Sequence, residues 1–331
     1  MASPTDHGKQ RRFTYAFQDP ANALAHNGVE LVSIYGIHVE KPFAPFTFSR
    51  SQGSPNAPHI LDYYLVRGPE PPERLPSSLP PPGNLSMRLN LGRRLGHGRA
   101  GSVYTVTVDF ANSTPELTSV VFPPLVAKIS HPNRETEIEH EAFYYDEMES
   151  IQGIVIPRCY GYFRGEIPQG YTLVGEPDLS REGQTILDME DSDSDTAQRF
   201  QSQRTTSNGS RVISILLLEQ LGDRLPISRP EEIPDDIQGE ILNMYSHLVQ
   251  LGVDHVDIRY ANILEAPVCP PGWPSLMSPL TNNAYRYRLV DFGNSCKTNR
   301  AVKLFSVYYR SYVRRLLNGL KMGYIIEPWQ L

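Results

Sequence analysis

The sequence predicts an α+β protein, in which a β-rich part precedes a more helical one. Three observations lead there. Short alternating or β-branched apolar runs recur between Ser86 and Leu218. A glycine turn, Gly96 to Gly101, separates two of these runs. Apolar residues at helical spacing appear over 134–150, after Pro234 and over 300–320.

The elements follow in order. Residues 1–88 read as an N-terminal extension. Leu31 to Val39 is predicted as a strand, Phe46–Phe48 and Tyr63–Val66 as further short strands, and Pro69 to Pro82 as a stiff linker. Met87 to Leu95 leads into the glycine turn, Ser102 to Phe110 leads out, and Leu125–Ile129 forms a third strand. Residues 134–150 give a helix with Ile138, Phe143 or Tyr144, and Met148 as its apolar stripe. Ile154 to Arg164 is a strand pair and Val212–Leu218 a buried strand. Between them, about 176–211, lies a polar, acidic stretch centred on Glu190 to Asp195, expected to be a disordered insertion; Ser192 and Ser194 sit there among carboxylates. Pro234 precedes an amphipathic helix with Ile237, Ile241, Met244, Tyr245, Leu248 and Leu251 on one face, stopped by Gly252. A Pro-rich insertion (267–283), a strand (Tyr285–Val290) and a basic amphipathic helix (300–320) complete the chain. The expected divisions are 1–88, 89–222 and 223–331.

Composition narrows the function classes. The 331 residues are 40% hydrophobic and 21% charged, ordinary for one large or two modest domains. A formal net charge of -6 offers no global basic field for nucleic acid or an acidic membrane. Cys159, Cys269 and Cys296 are too widely spaced for a disulfide framework or a zinc site, which points to a reducing compartment. Met1 to Phe17 lacks the apolar core of a signal peptide, and Val212–Leu218, the longest apolar run, is too short to cross a bilayer. A soluble intracellular protein, cytoplasmic or nuclear, is expected.

Four segments carry chemistry. Gly96, Gly98, Gly101 and Val103 form a G-x-G-x-x-G-x-V loop between two predicted strands, where a bare backbone can present N–H groups to phosphates. A dinucleotide fold needs a helix directly after such a loop, whereas Ser102 to Val108 is strand-like. Lys128, in an apolar strand, is a cation suited to holding nucleotide phosphates, and a buried lysine requires a partner. Glu141 is the chosen partner, because its helix face carries Tyr145 and Met148; Glu137 and Glu139 compete. Main-chain groups of Glu219 and Leu221, after Leu218, are placed to meet an adenine edge. The strongest signal is His255-Val256-Asp257-Ile258-Arg259-Tyr260-Ala261-Asn262 followed by Asp291-Phe292-Gly293. Asp257 would accept a hydroxyl proton, Arg259 would meet the transferred phosphoryl, and Asn262 with Asp291 would hold Mg²⁺ beside ATP. His255 is expected to pack and hydrogen-bond rather than carry a proton.

Taken together, these motifs resemble the eukaryotic protein kinase-like superfamily over about residues 88–300. The divergent loop and long insertions are similar to fungal-type kinase-like proteins. The resemblance implies a two-lobed fold, with a β-rich N-lobe, a short helical C-lobe and ATP in the cleft. It implies phosphoryl transfer to a hydroxyl, foremost of protein Ser/Thr. Departures are visible. His-Val-Asp stands for His-Arg-Asp, and residues 294–331 contain no Ala-Pro-Glu. In this the chain is similar to the aminoglycoside and choline kinase branch, which leaves a small-molecule kinase, a pseudokinase scaffold and a truncated gene model as alternatives. Phe305, Tyr308, Tyr309 and Leu316 on the last helix would invite a protein partner if exposed.

Overall fold

A computed structural model describes residues 27–55, 73–74, 76–77, 79, 81–116, 122–168, 171–174, 210–225, 236–267, 276–298 and 302–326. Seven strands form its centre: β1 (Val29–Tyr35), β2 (Phe46–Ser51), β3 (Leu85–His97), β4 (Gly101–Val108), β5 (Leu125–Ser130), β6 (Cys159–Pro168) and β7 (Ser210–Glu219). They close into a barrel in the order β1-β2-β6-β7-β5-β4-β3. Neighbours are antiparallel except β1 and β3, which run parallel with Val32 opposite Met87 and Ile34 opposite Leu89.

Alternation along each strand splits the apolar residues between two cores. Val32, Ile34, Met87, Leu89, Tyr104, Ala127, Ile129, Ile213, Ile215 and Leu217 fill the barrel. Val126, Tyr162, Leu216 and Leu218 point outward into a second core, where the helices pack. These are α1 (Glu135–Glu147), α2 (Ile237–Gln250) and α3 (Val302–Lys321). Two small hairpins complete this side: β8 (Val253–Asp254) with β11 (Cys296–Lys297), and β9 (Ile263–Glu265) with β10 (Tyr287–Leu289). α2 buries Ile237, Ile241, Met244, Tyr245 and Leu248, and Gly252 beyond its end takes φ +63°, the left-handed conformation of a helix C-terminus. Tyr309 of α3 stacks on Tyr245 of α2 at 4.6 Å. Tyr309 and Leu316 are therefore buried rather than exposed.

This architecture overturns the two-lobed α+β expectation, and the kinase-like family resemblance with it. The fold is a β-rich closed barrel, with three α-helices among the described residues. The physical reason lies in β1 and β2. The sequence marks both as strands but leaves them in an extension; in the structure β2 pairs with β6 and β1 with β3, so no open sheet edge is left between β6 and β3. The expected strand at Tyr63–Val66 and the acidic stretch over 176–209 lie outside the described residues. Among the described residues no helix is long and apolar enough to cross a membrane.

Candidate functional site

The site gathers on the outer wall of the barrel, where β4 and β5 meet α1 and the segment 291–298. Lys128 lies between Ala127 and Ile129, which point into the barrel, so alternation turns its side chain outward. Its Nζ lies 2.6 Å from Glu141 Oε2 and 2.8 Å from Asp291 Oδ1. Strand, helix and loop thus converge on one ammonium group. Of the competing glutamates, Glu137 pairs with Arg134 and Arg99, and Glu139 lies 3.8 Å from Arg164.

Burial and charge shape the three groups. Glu141 is 1% exposed, and desolvation raises its pKa despite the opposing pull of Lys128. Burial works against the Lys128 charge as well, but Asp291 and Glu141 outweigh it and hold the ammonium firmly protonated. The Lys128 charge, ahead of all other influences, holds Asp291 below the usual carboxylate range. The Asp291 side chain is 47% exposed, so a ligand can reach it from solvent.

The catalytic-loop candidates form the second half of the site. Asp257 Oδ1 accepts from Arg259 Nε at 2.6 Å, and Asp257 Oδ2 accepts from Asn262 Nδ2 at 3.1 Å. Asn262 Nδ2 also donates to the Asp257 carbonyl at 3.0 Å, which leaves its amide oxygen as the atom able to meet a ligand. Val290 N donates to the Asn262 carbonyl at 3.0 Å, tying this loop to the residue before Asp291. Arg259, held on Asp257, also contributes to the field that lowers Asp291.

Two backbone positions here are strained. Val256 has φ +61° and Asp291 has φ +65°, a region unfavourable for a β-branched residue above all. Such conformations cost roughly 1–3 kcal/mol each and persist only where the surroundings impose them. The surroundings are identifiable. Tyr309 Oη accepts from His255 N at 2.8 Å and donates to Asp254 Oδ1 at 2.9 Å. His255 Nε2 donates to the Val290 carbonyl at 2.9 Å, and its ring lies 4.8 Å from that of the fully buried Phe292. His140 of α1 reaches the Ser295 carbonyl at 2.9 Å. Sequence reading overlooked Tyr309 and His140 as parts of the site, since both act across long sequence separations that no local pattern marks.

The glycine turn sits over this assembly. A Cβ at Gly101 would lie 2.2 Å from the Ile129 carbonyl oxygen, so this glycine is required by the close approach of β4 to β5. Gly96 and Gly98 are different: a Cβ would meet nothing within 4 Å at the first, and only the Gly101 carbonyl at 3.8 Å at the second. Packing within the described residues therefore does not require glycine at either position. Arg99, at the tip, donates to Asn294 Oδ1 at 3.0 Å, which brings the turn down to the loop after Asp291. Val103 lies opposite Lys128 in the β4–β5 ladder, half-buried against the outer core.

The expected adenine edge is placed less simply. Glu219 N donates to the Arg158 carbonyl at 2.9 Å, and the Glu219 carboxylate pairs with buried Arg158 at 2.6 Å, so that amide is already engaged. The Leu221 amide takes part in none of the main-chain bonds among the described residues.

Mg²⁺ takes oxygen ligands and usually keeps waters and substrate phosphates in its shell. Asp291 carboxylate and Asn262 amide oxygen match that donor chemistry. Among the described residues no group of three or more His, Cys, Asp or Glu is assembled for a metal, so a cation here would depend on oxygens from a ligand. No protein-family model matches the chain, and no curated protein is significantly similar to it.

Proposed function

We propose that this protein transfers the γ-phosphoryl group of ATP to a hydroxyl, with Mg²⁺ as the accompanying cation. The observation that carries this reading is the junction of Lys128 with Glu141 at 2.6 Å and Asp291 at 2.8 Å, next to the Asp257–Asn262 loop. Phosphoryl transfer needs little covalent help from a protein and depends mainly on positioning and charge. This site offers both.

In the proposed reaction Lys128, oriented by Glu141, binds phosphate oxygens of ATP in the place now taken by Asp291. Asp291, thereby released, and Asn262 would be the residues to hold Mg²⁺, which when bound would supply positive charge against the phosphates. Gly96 and Gly98 let the turn approach those phosphates closely. Asp257 directs the acceptor hydroxyl. The acceptor oxygen bonds to the γ-phosphorus, the bond from that phosphorus to the β–γ bridging oxygen breaks, ADP departs, and the hydroxyl proton passes to Asp257. Arg259, held on Asp257, stands beside the transferring group. The acceptor hydroxyl belongs to a protein Ser/Thr or to a small molecule.

The test is Mg²⁺-dependent ATP turnover by the purified chain with protein and small-molecule acceptors, beside Asp257→Ala and Lys128→Ala. Turnover that both substitutions abolish, with ATP binding retained in Asp257→Ala, supports the reading. Equal loss of ATP binding in Asp257→Ala removes the role given to that residue. A second reading, ATP binding without transfer, draws on one observation: both Asp257 oxygens are already engaged, by Arg259 and Asn262. ATP binding without transfer to any acceptor selects it.

A further inference from the structure

We infer that the segment after β2, centred on Gly53, is a positioning element for this site. Its backbone presses on α1 at Ala142–Phe143 and thereby holds Glu141 against Lys128. The inference deepens the proposed phosphotransfer reading and rests on it for its catalytic consequence.

The contact is unusually close. A Cβ at Gly53 would lie 2.2 Å from Phe143 N and 2.7 Å from both the Ala142 carbonyl carbon and Phe143 Cα. Ordinary contact begins at 3.4 Å, so any side chain here must push strand and helix apart by more than 1 Å. Direction matters as much as distance. Successive residues turn about 100° around a helix, so Phe143 lies on the side of α1 nearly opposite Glu141. Pressure at Phe143 therefore acts toward Lys128.

The rest of the helix fits this arrangement. The less buried stripe of α1 runs through Glu139, Phe143 and Asp146, at helical spacing, and the N-terminal region reaches it at Phe143 through Gly53 and at Asp146 through Arg50 and Arg74. Arg50, at the end of β2, donates to the Val29 carbonyl at 2.6 Å and the Tyr160 carbonyl at 2.8 Å, fixing that strand end to its neighbours. Arg50 and Arg74 both act on Asp146, whose pKa burial pushes up to about 6. Ser77 donates to Glu149 Oε2 at 2.6 Å, just past the helix. A neighbouring side of α1, about 40–60° around the helix from Phe143, meets the site segment, through His140 to Ser295 and Glu147 to Lys297 at 2.6 Å. These contacts, with those of Glu141 to Lys128, fix the rotation of the helix about its axis.

The experiment uses the full chain with Gly53→Ala and, as a control on the same segment, Gln52→Ala at an exposed position. Two quantities are read: kcat and nucleotide KM of phosphoryl transfer, and amide hydrogen exchange along α1 by mass spectrometry. Gly53→Ala is expected to speed exchange in α1 and to lower kcat by about tenfold to a hundredfold with a much smaller change in KM, since a displacement near 1 Å suffices for that loss. Gln52→Ala leaves both at wild-type values. If Gly53→Ala does not fold, Arg50→Lys, which adds no atom against the helix, is read for the same two quantities with the same expectation. Wild-type exchange and wild-type kcat in the folded variant overturn the inference. A wild type without transfer, but with faster α1 exchange in Gly53→Ala, overturns the phosphotransfer reading while leaving the mechanical role of Gly53 in place.

Discussion

Lys128→Met removes one charge and keeps most of the apolar stem, and its cost follows from what it leaves behind. Glu141 is 1% exposed and loses its ammonium partner, whereas Asp291 is 47% exposed and can turn to water. An unpaired buried carboxylate escapes its penalty by taking up a proton, so protonation sets the ceiling. An unfolded Glu titrates near ~4.3, and holding it neutral at about pH 7 costs roughly 2.7 pH units at 1.36 kcal/mol each, or about 3.7 kcal/mol. That agrees with the roughly 3–5 kcal/mol typical for breaking a buried ion pair. The sign is fixed by linkage. With the folded pKa of Glu141 raised above the unfolded value, its contribution is fully present below the unfolded value and is lost as pH rises toward the folded one. Because Glu141 is already raised in the wild type, the loss in Lys128→Met should stay below about 3.7 kcal/mol near pH 7, shrink by about 1.4 kcal/mol per pH unit on acidification, and vanish at the raised wild-type value, above ~4.3. Urea denaturation of wild type, Lys128→Met and Lys128→Met/Glu141→Gln at about pH 5, 6 and 7 measures it. The double variant should recover most of the loss near pH 7 and little near pH 5. A loss that is flat with pH, or untouched by Glu141→Gln, would refute the assignment of Glu141 as the buried partner.

Three further outcomes follow from the same geometry. Gly101→Ala places Cβ against the Ile129 carbonyl and should destabilise by about 1–3 kcal/mol in a urea melt, whereas Gly98→Ala should stay within about 0.5 kcal/mol yet weaken ATP binding in calorimetry. Val256 is 40% exposed at φ +61°, so Val256→Gly relieves strain while giving up little burial and should be neutral or stabilising by about 1 kcal/mol, contrary to the usual cost of Val→Gly; a loss of stability in the same melt contradicts the strain argument. Burial pushes the His247 pKa down to about 4, and the neutral ring bonds to Ser278 at 2.9 Å. A base depressed in the folded state contributes stability above its unfolded pKa that is lost as pH falls toward the folded one, so stability should decline between about pH 6.5 and 4, and His247→Gln should flatten that decline; an unchanged slope contradicts it.

Much of the site was legible because each local choice obeyed a short period. Two-residue alternation separates Lys128 from Ala127 and Ile129, and the helical period singles out the Glu141 face. The spacing of Asp257 and Asn262 fits a loop in which the amide bonds back to the aspartate, as the structure has it at 3.0 and 3.1 Å. What was not legible depends on tertiary pairing. No pattern within Val29–Tyr35 announces that it will lie parallel to Leu85–Asn90, so the strand was readable and its partner was not. The same holds for Tyr309, whose amphipathic helix was readable but whose hydroxyl bonds Asp254 and the His255 amide across more than fifty residues.

Barrel closure and site chemistry are connected through charge as well as position. Closure fixes β4 and β5, hence the glycine turn and Lys128, and carries Gly53 to the back of α1. The groups so assembled are unbalanced: Lys128 and Arg259 stand against Glu141, Asp257 and Asp291. With all five ionised the site is one negative charge in excess, and a triphosphate approaching it is repelled at short range, where the low dielectric of a protein screens poorly. Lys128 cannot serve phosphate and Asp291 equally at once. Under the proposed reading a divalent cation would ease both conflicts, since Asp291, released from Lys128, would hold it and its two positive charges would reverse the sign of the excess. On that reading, removing one carboxylate, as in Asp291→Asn, should weaken the Mg²⁺ dependence of ATP binding even where it abolishes transfer.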